Sequence, residues 1–129
     1  MTPFRVGVDL IAVAAVEQAL RDHGSRYLAR VYSPAEIASS ACGANPDPAR
    51  LAARFAAKEA VLKVLRARDV GIPWPSIETV RTEWGGLDVV LSGAAAEQAA
   101  SEGLKSFDVS VTHDGGFAVA VVVAAGSQR

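Results

Sequence analysis

Four positions carry side chains that could do chemistry together. They are Asp9 in an alternating stretch, Glu59 and Lys63 in an alanine-rich stretch, and His113 beside Asp114 ahead of two glycines. Two carboxylates, a lysine and a histidine are the groups that magnesium-assisted phosphoryl chemistry needs. Mg²⁺ is held by one or two carboxylates together with substrate phosphates, and cations neutralise the remaining charge. No Cys and His spacing suits zinc, and neither a Gly-rich phosphate loop nor a Gly-x-Ser-x-Gly elbow occurs. Each group also has a plainer reading. Glu59 and Lys63 read alone are a solvated i,i+4 helix pair worth about 0.3–0.5 kcal/mol, Asp9 is a strand-end carboxylate or helix cap, and His113 is a structural histidine.

The element that must position Glu59 and Lys63 is the run from Leu51 to Leu65. Wound at 3.6 residues per turn, it puts Leu51, Phe55, Leu62 and Leu65 on a core-facing stripe and Glu59, Lys63 and Arg66 on an adjacent one that continues back into Ala52 and Ala56. Lys58 falls inside the apolar stripe. Its ammonium must therefore snorkel out or enter a polar cavity. Asp9 belongs to an alternating strand, Phe4 to Leu10, in which Phe4, Val6, Val8 and Leu10 are expected to form the buried face, with Arg5, Gly7 and Asp9 opposite. His113 ends one strand of a predicted hairpin over 107–123. There Phe107, Val109 and Val111 share its face, while Asp108, Ser110, Thr112 and Asp114 share the other.

Between these units the chain reads as a helix over Val13 to Asp22 stopped by Gly24, then a capping box at Ser33-Pro34-Ala35-Glu36. A proline-blocked loop over 42–48 precedes the long helix. A strand pair follows at Ile77 to Glu83 and Leu87 to Leu91, then a helix over Gly93 to Glu102 whose small side chains suit close packing at an interface. Trp74 and Trp84 are read as packing residues. This order predicts an α+β fold, a mainly antiparallel sheet packed against a long central helix.

At 129 residues the chain is expected to be a single domain over 1–129, and a net charge of −1 gives no global field for nucleic acid or an anionic membrane. One cysteine, Cys42, suits a reducing compartment, and no stretch has the form of a leader or membrane span, so a cytoplasmic protein is expected. The most basic local surface is Arg21, Arg26 and Arg30 interleaved with Tyr27 and Tyr32. It is either ordinary surface arginine or a dock for an acidic protein or a phosphate.

Three motifs in order, Gly7-Val8-Asp9-Leu10, Arg54-Phe55-Ala56-Ala57-Lys58-Glu59-Ala60 with Lys63, and Ser110-Val111-Thr112-His113, span essentially the whole chain. Together they resemble the holo-acyl-carrier-protein synthases, small single-domain 4′-phosphopantetheinyl transferases. The resemblance implies transfer of the phosphopantetheine arm of coenzyme A to a serine of an apo acyl carrier protein, releasing adenosine 3′,5′-bisphosphate. It also implies Mg²⁺ on Asp9 and Glu59, coenzyme A phosphates on Arg54, Lys58 and Lys63, and a homotrimer in which Ser110 to His113, Thr112 included, line the nucleotide pocket of a neighbouring copy. The serine proton would go to a water at the metal with Glu59, or to Asp114 or His113. Arg26 and Arg30, with Arg21, fit the family's carrier-docking surface. Two departures stand out: Ala14 and Ala15 where basic docking residues are usual, and Gly85-Gly86-Leu87 where a Gly-x-Pro turn is usual. The same chemistry on a polyketide or peptide synthase carrier, and a non-catalytic coenzyme A-binding trimer, are the alternatives.

Overall fold

The computed structural model describes residues 2–68 and 70–126. In chain order the elements are β1 (Phe4–Ala12), α1 (Val13–His23), α2 (Ser25–Val31), α3 (Pro34–Ser39), β2 (Ala41–Cys42), β3 (Asn45–Pro46), α4 (Pro48–Leu65), a 3₁₀ turn (Trp74–Ser76), β4 (Ile77–Arg81), β5 (Leu87–Leu91), α5 (Gly93–Ser101), β6 (Ser106–Asp114) and β7 (Phe117–Ala125). Every strand pairing is antiparallel. The main sheet runs β1-β7-β6, and β2-β3 and β4-β5 are separate hairpins. The α+β architecture expected from the sequence is the one found. The loop expected over 42–48 contains the short β2-β3 hairpin.

α4 is set by its ends. Asp47 caps it by accepting from the Ala49 N–H at 3.2 Å, and Pro48 enters at the first turn. At the far end Arg66 takes a left-handed conformation, φ 53° and ψ 43°, which costs a residue with a Cβ about 1–2 kcal/mol. Between its ends the helix lies on the main sheet, with Ala56, Ala57, Ala60, Val61 and Val64 packed against Ala120, Val122 and Ala124 of β7. Ala95 and Ala99 of α5 join this same core. Two alanines of α5 thus pack closely within the chain's own core.

The register of β1 corrects the expectation for that strand. Alternation sorts its residues as read, but it is Arg5, Gly7 and Asp9 that face α4, while Phe4, Val6, Val8 and Leu10 point away from it, 54–69% exposed. The reason is close approach. A Cβ on Gly7 would lie 2.4 Å from the Ala60 carbonyl oxygen, so this face carries the only residue able to meet the helix backbone. The outward face continues across the sheet, since Val8 pairs with Val121 and then Ser110, and Leu10 pairs with Val119 and then Thr112. Among the described residues, no helix is long and apolar enough to cross a membrane.

Candidate active site

Because Asp9 is on the face of β1 that meets α4, its carboxylate reaches the helix turn holding Glu59 and Lys63. The Lys63 ammonium donates to the Val8 carbonyl at 2.8 Å and lies 3.2 Å from Asp9 Oδ1. Partial burial pushes the Glu59 carboxyl above the ordinary carboxylate range; the Asp9 charge pushes it further, and Lys63 pulls the other way. Among the described residues nothing donates a hydrogen bond to Glu59. Two adjacent carboxylates and one half-exposed ammonium are thus gathered where β1 meets α4. Oxygen-only donors in a pair are the set that suits Mg²⁺ completed by phosphate oxygens and water.

Lys58 and Arg54, which the resemblance assigns to coenzyme A phosphates, have partners inside the chain. The Lys58 ammonium is fully buried, 2.7 Å from Glu36 Oε1, and donates to the carbonyls of Ile77 at 2.7 Å and Trp74 at 3.2 Å. Arg54 Nη1 donates to the Thr79 carbonyl and hydroxyl, both at 2.9 Å. Glu36 is the hub. Beyond Lys58 it accepts from the Ser33 N–H, from the Thr79 N–H at 2.9 Å and from the Thr79 hydroxyl at 2.6 Å. The capping box read from the sequence exists, and it aims Glu36 into the core. Burial lowers the Lys58 pKa more than Glu36 restores it.

The third motif does not reach this cleft within one chain. Ser110 and Thr112 lie on the outward face of β6, opposite to Asp9, while His113 is on the inward face at the exposed end of the edge strand. Asp9 and Val111 share a row across Ala120, so β6 stands about two strand spacings, or roughly 10 Å, from Asp9. Asp114 opposes Phe117 at the turn.

Of the basic residues, Arg26 and Arg30 line one cavity of about 240 Å³ with His23 and Tyr27. Arg21 stands on α1 and donates to Gln18 Oε1 at 2.8 Å. Trp74 packs on Phe55, ring centroids 5.1 Å apart, whereas Trp84 is 77% exposed and stays outside the core, its ring lying over Gly86. Arg66 and Arg68, not marked as functional from the sequence, line a cavity with Lys63. The available signal was an arginine where a helix end expects glycine.

Fold and site together define a small α+β protein with a paired-carboxylate and lysine centre of the kind that works on phosphate groups. A sequence profile described as the 4′-phosphopantetheinyl transferase superfamily matches residues 5–122. The holo-[acyl-carrier-protein] synthase of Anaeromyxobacter dehalogenans is 40% identical over 126 residues, 95% of each chain, and that of Desulforudis audaxviator is 40% identical over 128 residues, 96% of each. Among solved structures, the Helicobacter pylori holo-[acyl-carrier-protein] synthase in complex with coenzyme A superposes with a TM-score of 0.79 at 29% identity, covering 93% of this chain and 99% of that one. The Mycobacterium tuberculosis acyl carrier protein synthase gives 0.68 at 31%, covering 92% and 94%. The chain belongs to the 4′-phosphopantetheinyl transferase superfamily, among its holo-acyl-carrier-protein synthases.

Proposed function

We propose that the chain transfers the 4′-phosphopantetheine group of coenzyme A to a serine hydroxyl of an acyl carrier protein. It would work in the cytoplasm as a homotrimer, with Mg²⁺ on Asp9 and Glu59. The observation that carries this reading is the convergence of Asp9, Glu59 and Lys63, in which burial first and Asp9 second raise the pKa of Glu59. Crowded carboxylates are relieved by a cation.

When bound, Mg²⁺ offsets charge on the coenzyme A diphosphate and polarises its phosphorus. Asp9 and Glu59 fix where that charge sits. The carrier serine oxygen bonds to the phosphorus carrying the pantetheine, and the bond from that phosphorus to the bridging oxygen of the nucleotide breaks. Lys63, half exposed and tethered to the Val8 carbonyl, stabilises or protonates the departing adenosine 3′,5′-bisphosphate. Glu59 takes the serine proton through water. Asp114 or His113 of a second copy is the other acceptor.

The trimer is supported by the outward sheet face, where Phe4, Val6, Val8, Leu10, Phe117 and Val121 are exposed side by side. An apolar patch of that extent on a sheet marks a protein interface. Covering it with further copies would also put Ser110 and Thr112, which share that face, at the interface. Arg26 and Arg30, with Arg21 beside them, would dock the acidic carrier. Ala14 and Ala15 of α1 are exposed and uncharged, which favours a narrower choice of carrier, synthase carriers included.

Intact-protein mass spectrometry tests the reading. A fatty-acid apo carrier and its serine-to-alanine variant are incubated separately with the protein, coenzyme A and Mg²⁺. The expected result is one phosphopantetheine mass on the serine form alone, abolished by chelator. No mass gain on that carrier or on a panel of synthase carriers, with coenzyme A still bound, would replace the transferase reading with a non-catalytic one.

A further inference from the structure

Arg66 is the one non-glycine with positive φ among the described residues, and it stands at the cap where α4 ends. Glycine is the residue that meets this conformation without a Cβ clash. Arg68 follows after one residue, its N–H donating to the Arg66 carbonyl at 3.1 Å. Lys63, Arg66, Arg68 and Glu102 line a cavity of about 760 Å³. Glu102 is already paired with Arg5 at 2.8 Å, so among the described residues that line the cavity the balance of charge is positive. Among the described residues no carboxylate engages the Arg66 or Arg68 guanidinium. Lys63 is shared: one side of it reaches Asp9, the other lines this cavity. The cavity therefore opens directly beside the paired carboxylates.

We propose that Arg66 and Arg68 form a phosphate clamp for the donor, holding a phosphate oxygen that does not react while Asp9, Glu59 and Lys63 handle the phosphorus that does. The proposal rests on the coenzyme A reading given above. A guanidinium keeps its charge at any working pH and presents paired N–H groups that match phosphate oxygens. A strained arginine at a helix end is explained by what its side chain does, because for the backbone alone glycine is the easier residue. The role is positioning: the clamp fixes the donor along the C-terminal end of α4.

Arg66→Gly isolates the side chain, since glycine keeps the left-handed turn without strain. It is expected to raise Tm while weakening coenzyme A binding about fivefold in calorimetric titration at low ionic strength. Arg66→Gly with Arg68→Ala is expected to weaken binding further, and both losses should shrink at high salt. Running the titrations with coenzyme A and with 3′-dephospho-coenzyme A identifies the clamped group. A loss confined to coenzyme A assigns the ribose phosphate, and an equal loss for both assigns the diphosphate. Wild-type affinity in the double variant at low salt overturns the clamp and leaves the transferase reading standing. If the wild type binds no coenzyme A, both fall together.

Discussion

Lys58 and Glu59 are consecutive in α4, yet they serve two charged clusters with opposite properties. In the first, every charge is enclosed and answered: Glu36 receives Lys58, two backbone N–H groups and the Thr79 hydroxyl, and Arg54 closes the far side through Thr79. In the second, Asp9 has only the half-exposed Lys63, and Glu59 has repulsion. Satisfied buried charges have nothing to offer a ligand and are costly to disturb. Under-satisfied carboxylates at a cleft are available to one. The same residue types thus fasten α3, α4 and β4 together on one side of the helix and leave an open carboxylate and lysine cluster on the other.

Breaking the enclosed cluster should cost the most. Lys58→Ala leaves the Glu36 charge buried without its cation, and thermal or urea unfolding should register a loss of about 3–5 kcal/mol. Glu59→Gln should do the reverse. Transfer is expected to fall at least about a hundredfold in the mass-spectrometric assay, while Tm holds or rises, because no hydrogen bond to Glu59 is lost and its repulsion with Asp9 is removed. Equal losses of stability in both variants would erase the contrast.

How much of this was legible beforehand depends on the range of the interaction. Asp9, Glu59 and Lys63 were readable because strand alternation and helical spacing are local rules, and the order of the elements gave the fold class. The fate of Lys58 was not readable. Periodicity placed its ammonium in the apolar stripe, but the choice between solvent and a polar cavity depended on Glu36, and pairing over that sequence distance leaves no mark in a periodic pattern. The resemblance assigned Lys58 and Arg54 to phosphates, and the capping box at Ser33 was read only as a helix start, although it is what aims Glu36 inward. For β1 the alternation gave the two faces without saying which is covered. Gly7 held that answer, since the face with the smallest residue can meet the backbone of α4.

Smaller effects sharpen the comparison. Arg26→Glu or Arg30→Glu should weaken carrier binding about fivefold at low salt, less at high salt, and leave coenzyme A binding unchanged in parallel titrations. The enclosed side should also have its own alkaline signature. Burial raises the Tyr27 and Tyr32 pKa values above the ordinary 10.0, so the unfolded chain releases these protons first and stability falls as pH rises beyond that point. Lys58, lowered from 10.5, and Arg54, lowered from 12.5, both by burial first, work in the opposite sense below those values. Tyr32→Phe should make the alkaline limb shallower by about 1.4 kcal/mol per pH unit in urea titrations.

The central claim is that the working site joins Asp9, Glu59 and Lys63 of one copy to β6 of another. Co-expression of Glu59→Ala with the Ser110→Ala/His113→Ala double variant tests it most directly. Each variant alone should be inactive in carrier transfer. Mixed oligomers should recover about a quarter of wild-type activity, because random assembly of a symmetric ring leaves that share of interfaces with both halves intact. A mixture no more active than its parents would contradict a site shared between copies.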